Sequence, residues 1–377
     1  MQKLIDANIG WIDETWDKIE KKLRAVSERS KEKIPYTSEN KVHDDWREKR
    51  IGRWTNGFWG GLMWLMYEAT GDEHFKEIAR YNEKELDRAL DDIQTLHHDV
   101  GFMWNITAGA DYRITGSEEA KARVLKASAV LASRYNIVGK FIRAWNNEEY
   151  AGYTIIDCMM NIPMLYLASE ITKDPRFIYI AQSHADSTLK NHIRPDGSVY
   201  HILAYDPTQY DIVQPAQKSQ GYDYKDSSWS RGQAWAIYGF VLSYIHSGKK
   251  EYLDASKRVA HYFLANLLDD PMPLCDFRAP SEPVYHDSTA AACAACGLIE
   301  LARCVPEYEK KLYFNGAMRI LKCIADDYCD WDESSDAFVL NGCEAYHDGS
   351  QNMPIIYGDY YFTEALYKLK GNKVLFW

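Results

Sequence analysis

Residues 68–75 read EATGDEHF, a stretch in which one helix ends and the next begins within a few residues. Gly71 can adopt the left-handed conformation that closes a helix, and Asp72 is a favoured N-cap for the helix that follows. Similar junctions recur at 113–120 (RITGSEEA), 170–177 (EITKDPRF), 245–252 (IHSGKKEY) and, more loosely, 302–309 (ARCVPEYE). Each junction separates an apolar, aromatic segment from a segment with amphipathic helical spacing. The repeat therefore predicts a chain of helical hairpins.

The hairpins number six when the two ends of the chain are paired. The apolar segment at 355–371 lacks a following partner, and the amphipathic segment around 2–28 can supply one. Six hairpins can close into an (α/α)6 toroid, an all-α ring with apolar helices inside and amphipathic helices outside. An open solenoid would need polar capping repeats and would rarely end on the apolar VLFW of residues 374–377. Because no Pro/Gly/Ser-rich linker interrupts the chain, we predict a single domain over residues 1–377. Strand signals are sparse, and DGSVYHILAYD at 196–206 is the best candidate for a short hairpin within a loop.

Composition and net charge restrict the kinds of molecule that the protein can bind. A content of 46% hydrophobic and 26% charged residues is typical of a globular protein. The net charge of −11 argues against nucleic acid or an anionic membrane as partner, whereas a small anionic substrate is compatible with it where local cations are present. Neither a long apolar run nor a signal-peptide core occurs, so we predict a cytoplasmic protein, monomeric or homodimeric.

The eight cysteines lie mostly in apolar segments, which indicates free thiols in a reducing compartment. Cys293 and Cys296 form a CxxC pair, but no second pair and no histidine pair accompany it. We therefore expect no metal site and no cofactor.

The six predicted inner helices all begin with a polar residue. These residues are Asn56, Asp99, Asp157, Arg231, Asp287 and Asp359. In a toroid the inner helices run parallel, so the six starts meet at one end of the ring, where helix N-termini favour anions. Each residue can also be a plain N-cap, and this interpretation has most weight for Asp287 and Asp359. Aromatic surroundings favour a site at Asp99 and Asp157.

Tryptophans cluster at the same helix starts. They are Trp54, Trp59, Trp104, Trp145, Trp229 and Trp235, in a chain with 14% aromatic residues. We expect about half of these rings to pack in the core and the others to face a cavity, where an aromatic ring can stack on a sugar. Carboxylates among tryptophans therefore predict a carbohydrate site.

Four motifs carry a family resemblance. HHDVGF at 97–102, IIDCMMNIP at 155–163, DSSWSRGQAWAIYGF at 226–240 and IIYGDYYF at 355–362 resemble motifs of the unsaturated glucuronyl hydrolases, glycoside hydrolase family 88. The resemblance implies that Asp157 is the general acid and base and that Asp99 is a second carboxylate near the reacting ring. It also implies sugar-holding roles for His201, Gln220, Arg231 and Trp235, and a pocket lined by Trp54, Trp145 and Tyr346.

The implied chemistry assigns different states to the two carboxyl groups. Polysaccharide lyases leave a uronic acid with a C4=C5 double bond, and such an enol ether is hydrolysed after protonation at C4. Apolar neighbours in IIDCMM would raise the pKa of Asp157, whereas His97 and His98 would keep Asp99 ionised. Arg231 would bind the uronate carboxylate in bidentate fashion.

Three alternatives remain open. An unsaturated rhamnogalacturonyl hydrolase would share the fold and the hydration chemistry. A sugar epimerase would use histidines such as His201, His286 and His347 as acid and base. A non-catalytic sugar-binding or scaffold protein would have no need of two carboxylates in an aromatic cavity.

One expectation concerns sulfate on the leaving sugar. Some family members that accept sulfated disaccharides carry a lysine shortly before the last motif, whereas no lysine or arginine lies between Tyr346 and Tyr360 here. We therefore expect unsulfated disaccharides to be better substrates than those sulfated on the 6-position of the leaving sugar, unless Lys218 or Lys225 reaches the same place.

Overall fold

The junctions seen in the sequence join consecutive helices in the computed structural model, which describes residues 1–267 and 270–377. Gly71, Gly116 and Gly248 follow helix ends with φ of 71°, 73° and 71°, in the left-handed region. The side chains of Asp72 and Ser117 then accept hydrogen bonds from the backbone N–H groups of the following helices. The predicted succession of C-cap and new N-cap is confirmed at 68–75 and 113–120. At 245–252 the glycine C-cap is present, but Lys249 at the N-cap position makes no side-chain cap hydrogen bond.

The helices alternate between two layers. In chain order the described α-helices are α1 (Gln2–Asp6), α2 (Ile9–Ser30), α3 (Phe58–Thr70), α4 (Glu73–Asp91), α5 (Val100–Trp104), α6 (Ala108–Thr115), α7 (Glu118–Ser133), α8 (Pro163–Thr172), α9 (Arg176–Asn191), α10 (Ser230–Ser247), α11 (Lys250–Ala265), α12 (Ser288–Cys304), α13 (Glu307–Asp327) and α14 (Ile356–Leu369). Short 3₁₀ helices lie at Trp54–Gly57, Ile93–Thr95, Glu148–Tyr150 and Ile156–Met160.

The inner layer closes on itself. Helix α3 contacts α6, α5 contacts α8, α8 contacts α10, and α10, α12 and α14 pack in succession until α14 meets α3. The N-terminal helix α2 packs against α14 as its outer partner. Every residue of α12 from Ser288 to Ala302 is buried, whereas α4 buries one face only, as the difference between apolar and amphipathic segments predicted. The (α/α)6 toroid is confirmed.

A small sheet lies at the end of the ring where the inner helices begin. The described strands are β1 (Ser38–Glu39), β2 (Val42–His43), β3 (Tyr135–Asn136), β4 (Phe141–Ile142), β5 (Tyr153–Ile155), β6 (Ile202–Tyr205) and β7 (Val213–Pro215). Strands β5, β6 and β7 form an antiparallel sheet in that order, so the end of β5, the start of β6 and the end of β7 share one edge. The stretch predicted to form a short hairpin contributes β6, which pairs with β5 on one side and forms a hairpin with the next strand, β7, on the other.

The core is continuous through the ring. The side chain of Trp377 is fully buried, and its ring stacks on Tyr361 at 6.0 Å between centroids and donates from Nε1 to Glu364. The eight cysteines are free, as expected. None of the helices in the two described ranges combines the length and the apolar character needed to cross a bilayer.

Candidate active site

A cavity of 990 Å³ opens where the inner helices begin. Of the residues predicted from the sequence, it is lined by Trp54, Asp99, Trp145, Asp157, His201, Gln220 and Arg231. The other walls are short polar segments at 49–52, 92–95, 145–147 and 218–220, which precede or connect the inner helices. Polar and aromatic groups from distant parts of the chain therefore meet around one concave surface.

Trp235 and Tyr346 do not line this cavity. Trp235 is fully buried against Phe102 and Tyr361, with ring centroids 5.0 and 5.6 Å away. Tyr346 packs its ring against Tyr222 and its backbone N–H donates to the carbonyl of Gln220. The sugar-holding role of Trp235 and the pocket-lining role of Tyr346 therefore stay predictions, and in this structure each residue contacts a residue that lines the wall. Trp235 acts on the carboxyl of Asp157, whose pKa it lowers as a minor influence.

The six tryptophans named above divide between the cavity wall and the core, as predicted. Trp54, Trp145 and Trp229 line the cavity. Trp59, Trp104 and Trp235 are fully buried in the core.

Three of the six polar helix starts have structural roles. Asp287 caps α12 by accepting from two backbone N–H groups, as the N-cap interpretation predicted. Asp359 lies inside the first turn of α14, where its Oδ1 accepts from the backbone N–H groups of Phe338 and Val339, so the N-cap interpretation is wrong for it. Asn56 donates to the carbonyls of Arg50 and Ile51 and so holds the 49–52 wall.

Asp157 lies just after the end of β5, at the edge of the small sheet that borders the cavity. The preceding residue, Ile156, donates its backbone N–H to the carbonyl of His201 at 3.0 Å, and the chain then turns into a 3₁₀ helix. The Oδ1 atom of Asp157 is buried, has no hydrogen-bond partner and lies 3.6 Å from His201 Nε2. Burial, together with the nearby charge of Asp99, raises the pKa of Asp157 to about 8. This carboxyl group therefore holds its proton to a higher pH than an ordinary aspartate does.

Asp99 has the opposite environment at the start of α5. Its Oδ2 lies 3.3 Å from His97 Nδ1 and 3.4 Å from His98 Nε2, and its Oδ1 accepts from Asn161 Nδ2 at 3.0 Å. Burial alone would raise the pKa of Asp99, but His98, His97 and Asn161 outweigh burial and lower it. Burial also lowers the pKa of His98 to about 4, so this imidazole is neutral beside an ionised carboxylate.

Asn161 links the two carboxyl residues, a role that the sequence reasoning missed. Its Nδ2 donates to Asp99 Oδ1 and to the backbone carbonyl of Asp157 at 3.1 Å, while its Oδ1 accepts from the Phe102 N–H at 2.9 Å. The approach requires a glycine at 101, since a Cβ there would lie 2.4 Å from Asn161 Cα. The available signal was the i, i+4 spacing from Asp157 within IIDCMMN, which places both residues on one helical face.

His201 has a defined tautomer. The backbone N–H of Gln220 donates to His201 Nδ1 at 3.0 Å, so that nitrogen carries no proton in the neutral ring. Burial, reinforced by Arg231, holds the pKa of His201 well below its ordinary value. The remaining proton therefore sits on Nε2, which faces Asp157 and the cavity as a donor.

Arg231 lines the cavity and is anchored by other parts of the protein. Its Nη1 pairs with Asp287 Oδ2 at 2.9 Å and donates to the carbonyl of Cys343, and its Nη2 donates to the carbonyl of Glu344 at 2.6 Å. Its Nε has no partner, and Nη2 carries a second N–H beyond the one given to Glu344. The bidentate contact with a uronate stays a prediction, for which Nε and Nη2 are the donors left.

Asp287→Asn should lower the free energy of unfolding by about 3 to 5 kcal/mol, because it leaves the buried Arg231 guanidinium without its counter-charge. This exceeds the roughly 1 kcal/mol expected from the sequence for a helix cap alone. Chemical denaturation measures the loss. The matched control is Asp72→Asn, which changes an N-cap on an outer helix and should lose less than about 1 kcal/mol. Equal losses in the two variants would contradict the buried pair's role.

A metal ion has one candidate position among the described residues. The side chains of His97, His98 and Asp99 offer ligand atoms within 4.8 Å of one another. Two imidazoles and a carboxylate suit zinc and similar ions. The expectation of no metal rests on the cysteine pair alone, and Cys293 and Cys296 are buried in α12.

The sequence model of Glycosyl Hydrolase Family 88 matches residues 26–280. The chain belongs to this family. Individual relatives match over a larger share of the chain. An unsaturated glucuronyl hydrolase of Bacillus sp. (strain GL1) is 36% identical over 335 residues, covering 86% of this chain and 88% of the relative. An unsaturated chondroitin disaccharide hydrolase of Streptococcus pyogenes serotype M1 is also 36% identical over 335 residues, covering 86% of this chain and 83% of the relative.

Solved structures of unsaturated glucuronyl hydrolases share the fold. The crystal structure of the Bacillus sp. GL1 unsaturated glucuronyl hydrolase superposes with a TM-score of 0.89 at 32% identity, covering 95% of this chain and 97% of that one. A mutant of the unsaturated glucuronyl hydrolase from Streptococcus agalactiae, complexed with dGlcA-GalNAc6S, gives 0.83 at 29% identity, covering 97% and 93%. The chain is thus a glycoside hydrolase, which removes the epimerase and the non-catalytic binding protein from the alternatives.

Proposed function

We propose that this family 88 enzyme releases 4-deoxy-Δ4,5-glucuronate from the non-reducing end of lyase-generated glycosaminoglycan-type oligosaccharides. The observation that carries the proposal is the pair of carboxyl groups in one cavity, Asp157 with a raised pKa and Asp99 with a lowered one, bridged by Asn161. One group that holds a proton beside one that holds a charge is the pairing that hydration of an enol ether needs. The relatives are named as an unsaturated glucuronyl hydrolase and an unsaturated chondroitin disaccharide hydrolase. These names favour this function over rhamnogalacturonyl hydrolysis.

The proposed reaction uses the two carboxyl groups in sequence. Protonated Asp157 donates to C4 of the double bond, and positive charge develops on C5 and the ring oxygen. Ionised Asp99 stabilises that charge. Asp157, now a carboxylate, takes a proton from a water molecule as that water adds to C5. The resulting hemiketal opens to a ketone at C5 and leaves a hemiacetal at C1. The hemiacetal collapses to an aldehyde as the C1–O bond breaks, and the leaving sugar departs with the glycosidic oxygen as a hydroxyl group.

The remaining wall residues would orient the sugar. The Nε2–H of His201 is a donor beside Asp157, and the side chain of Gln220 lines the cavity without a hydrogen bond to another described residue. With Arg231 Nε, these groups are the candidates to hold the uronate. Trp145 offers a ring for the leaving sugar. We further propose that residues 1–377 act as one catalytic domain in the cytoplasm, as a monomer or homodimer, without a cofactor.

The direct test follows the ultraviolet absorbance of the conjugated C4=C5 bond. Unsaturated disaccharides made by a chondroitin or hyaluronan lyase should lose that absorbance when the enzyme is added. Disaccharides of unsaturated galacturonate and rhamnose are the comparison, and a faster loss with them would favour the alternative. Retained absorbance with both substrates would reject hydration chemistry.

Activity should fall as the pH rises through about 8. Asp157 must be protonated to act as the acid, and its pKa is raised to about 8, so kcat/KM should decline tenfold per pH unit above that value. Below pH 8 the profile should be flat into the mildly acidic range, because the lowered pKa of Asp99 keeps that group ionised there. A kcat/KM that increases from pH 7 to 9 would show that Asp157 is required as a carboxylate from the start.

A further inference from the structure

Two cysteine side chains meet behind the part of the wall that contains Arg231. The thiol of Cys343 donates to the sulfur of Cys275 with the two Sγ atoms 3.1 Å apart, and both side chains are fully buried. Cys275 lies between α11 and α12, and Cys343 lies between α13 and α14, 68 positions further along the chain. No other two of the described cysteines have their sulfur atoms in contact. The contact therefore joins two connecting segments that are distant in sequence.

The backbones of both cysteines hold the first turn of α10. The carbonyl of Cys275 accepts from the backbone N–H of Ser230 at 2.9 Å and from the Ser230 hydroxyl at 3.1 Å. The carbonyl of Cys343 accepts from Nη1 of Arg231. Ser230 and Arg231 are the first two residues of α10. A covalent bond between the two sulfurs would therefore connect the two segments that keep Arg231 in place.

The separation of the two sulfurs is close to that of a disulfide. An S–S bond is about 2.05 Å long, so the sulfurs must approach each other by about 1 Å. The backbones on both sides are already fixed, because the N–H of Cys343 donates to Asp287 Oδ1 at 3.3 Å and the N–H of Cys275 donates to the carbonyl of Tyr285 at 2.6 Å. Two thiols that the fold already holds in contact lose little further conformational freedom when they are bonded.

An oxidant reaches the pair only when the surrounding loops open. Exposed residues follow Cys275 at 280–284 and Cys343 at 347–349, and exposed loops of this kind open locally without global unfolding. In the closed structure the hydrogen bond from Cys343, together with burial, keeps the pKa of Cys275 well above its ordinary value. A thiol with a raised pKa is a poor nucleophile, so the closed pair is unreactive and oxidation takes place through the open form.

We propose that Cys275 and Cys343 are a redox modification site that forms a reversible disulfide with a small disulfide oxidant such as oxidised glutathione. One cysteine thiolate attacks the glutathione disulfide and displaces a glutathione thiolate. The second cysteine thiolate attacks the resulting mixed disulfide and displaces the other. The two protons lost by the cysteines are taken up by the two glutathione thiolates. Two protein thiols are thus oxidised, and one glutathione disulfide is reduced to two glutathione molecules.

The bond should stabilise the folded protein under oxidising conditions. Connecting residues 68 positions apart restricts the unfolded chain, and the stabilisation increases with the length of the closed loop. We expect the midpoint of thermal unfolding to rise by roughly 5 °C on oxidation and to return on reduction. The proposal does not depend on the identity of the substrate, because both the bond and its effect on unfolding are measured without a sugar.

The test uses the full chain incubated with oxidised glutathione. The remaining thiols are alkylated, the protein is digested without a reducing agent, and the peptides are identified by mass spectrometry. The wild type should yield a cross-linked pair of peptides that contain Cys275 and Cys343, and dithiothreitol should separate them. Thermal unfolding of the same samples should show the higher midpoint before dithiothreitol is added and the lower one afterwards.

The matched control is Cys304→Ser, which removes a half-buried thiol at the far end of α12 and should keep both the cross-link and the rise in midpoint. Cys343→Ala and Cys275→Ala should each lose both. The peptide map of the wild type decides the site even if one of these variants fails to fold. The proposal is overturned if the wild type carries only glutathione adducts, if oxidation lowers the unfolding midpoint, or if the alanine variants keep its rise. Failure of the proposed function would appear only as retained ultraviolet absorbance, so the two failures are distinguishable.

Discussion

Asp157→Asn should fold normally and lose nearly all turnover, by a factor of about 10² to 10⁴ or more. Asparagine keeps the shape of the side chain but cannot donate a proton to C4 or recover one from water. Stability should not suffer at pH 7, because burial and the charge of Asp99 disfavour ionised Asp157 in the folded state. The raised pKa means that Asp157 disfavours the fold increasingly as pH rises, and the asparagine variant is free of this effect. Turnover by loss of absorbance and thermal unfolding measure the two effects separately.

The control for Asp157→Asn is another buried aspartate with a raised pKa. Burial raises the pKa of Asp359 to about 7, yet this residue lies outside the cavity. Its Oδ1 accepts hydrogen bonds from two backbone N–H groups, and the amide oxygen of an asparagine can accept the same bonds. Asp359→Asn should therefore retain most of the wild-type rate. If Asp157→Asn also retained most of that rate, the acid and base would have to be assigned elsewhere.

Asp99→Asn should reduce kcat/KM by about 10²-fold or more and also move the pH profile. The rate falls because the carboxylate that stabilises the developing positive charge is gone. The profile moves because the charge of Asp99 helps to raise the pKa of Asp157. Without that charge the pKa of Asp157 falls, so the decline of activity should begin at a lower pH than in the wild type. The residual activity must be measured across the pH range, with high enzyme concentration.

Asp92→Asn is the control for the shift in the pH profile. Asp92 lines the same cavity and loses the same formal charge, but it is exposed and does not appear among the groups that act on Asp157. Its variant should keep the upper pH limit of the wild type. A lowered rate with an unshifted profile in Asp99→Asn would mean that Asp99 acts by positioning alone, without electrostatic coupling to Asp157.

The side chains around each carboxyl group explain why Asp157 keeps a proton and Asp99 is an anion. Asp157 has an oxygen without a hydrogen-bond partner, and burial dominates its titration. Asp99 is as enclosed, but two imidazoles and an amide face its oxygens. Asn161 fixes the second group relative to the backbone of the first, so the pair is set by the fold before substrate arrives.

The sequence by itself determined the ring of helices. Helix caps and amphipathic periods depend on residues within about one turn of each other, so junctions such as EATGDEHF could be recognised without knowledge of distant contacts. The order of apolar and amphipathic segments then indicated which helices lie inside. Local motifs likewise identified Asp99 and Asp157 as candidates, because polar residues at aromatic helix starts are uncommon in a core.

Only the tertiary structure decided what surrounds each candidate. The guanidinium of Arg231 is engaged by carbonyls at Cys343 and Glu344, more than a hundred positions away, and no local pattern indicates such contacts. The tautomer of His201 depends on the backbone at Gln220, and the place of Lys218 in the cavity depends on strand pairing across β6 and β7. Burial and the approach of distant charges set pKa values, and both arise only when the six hairpins close into a ring.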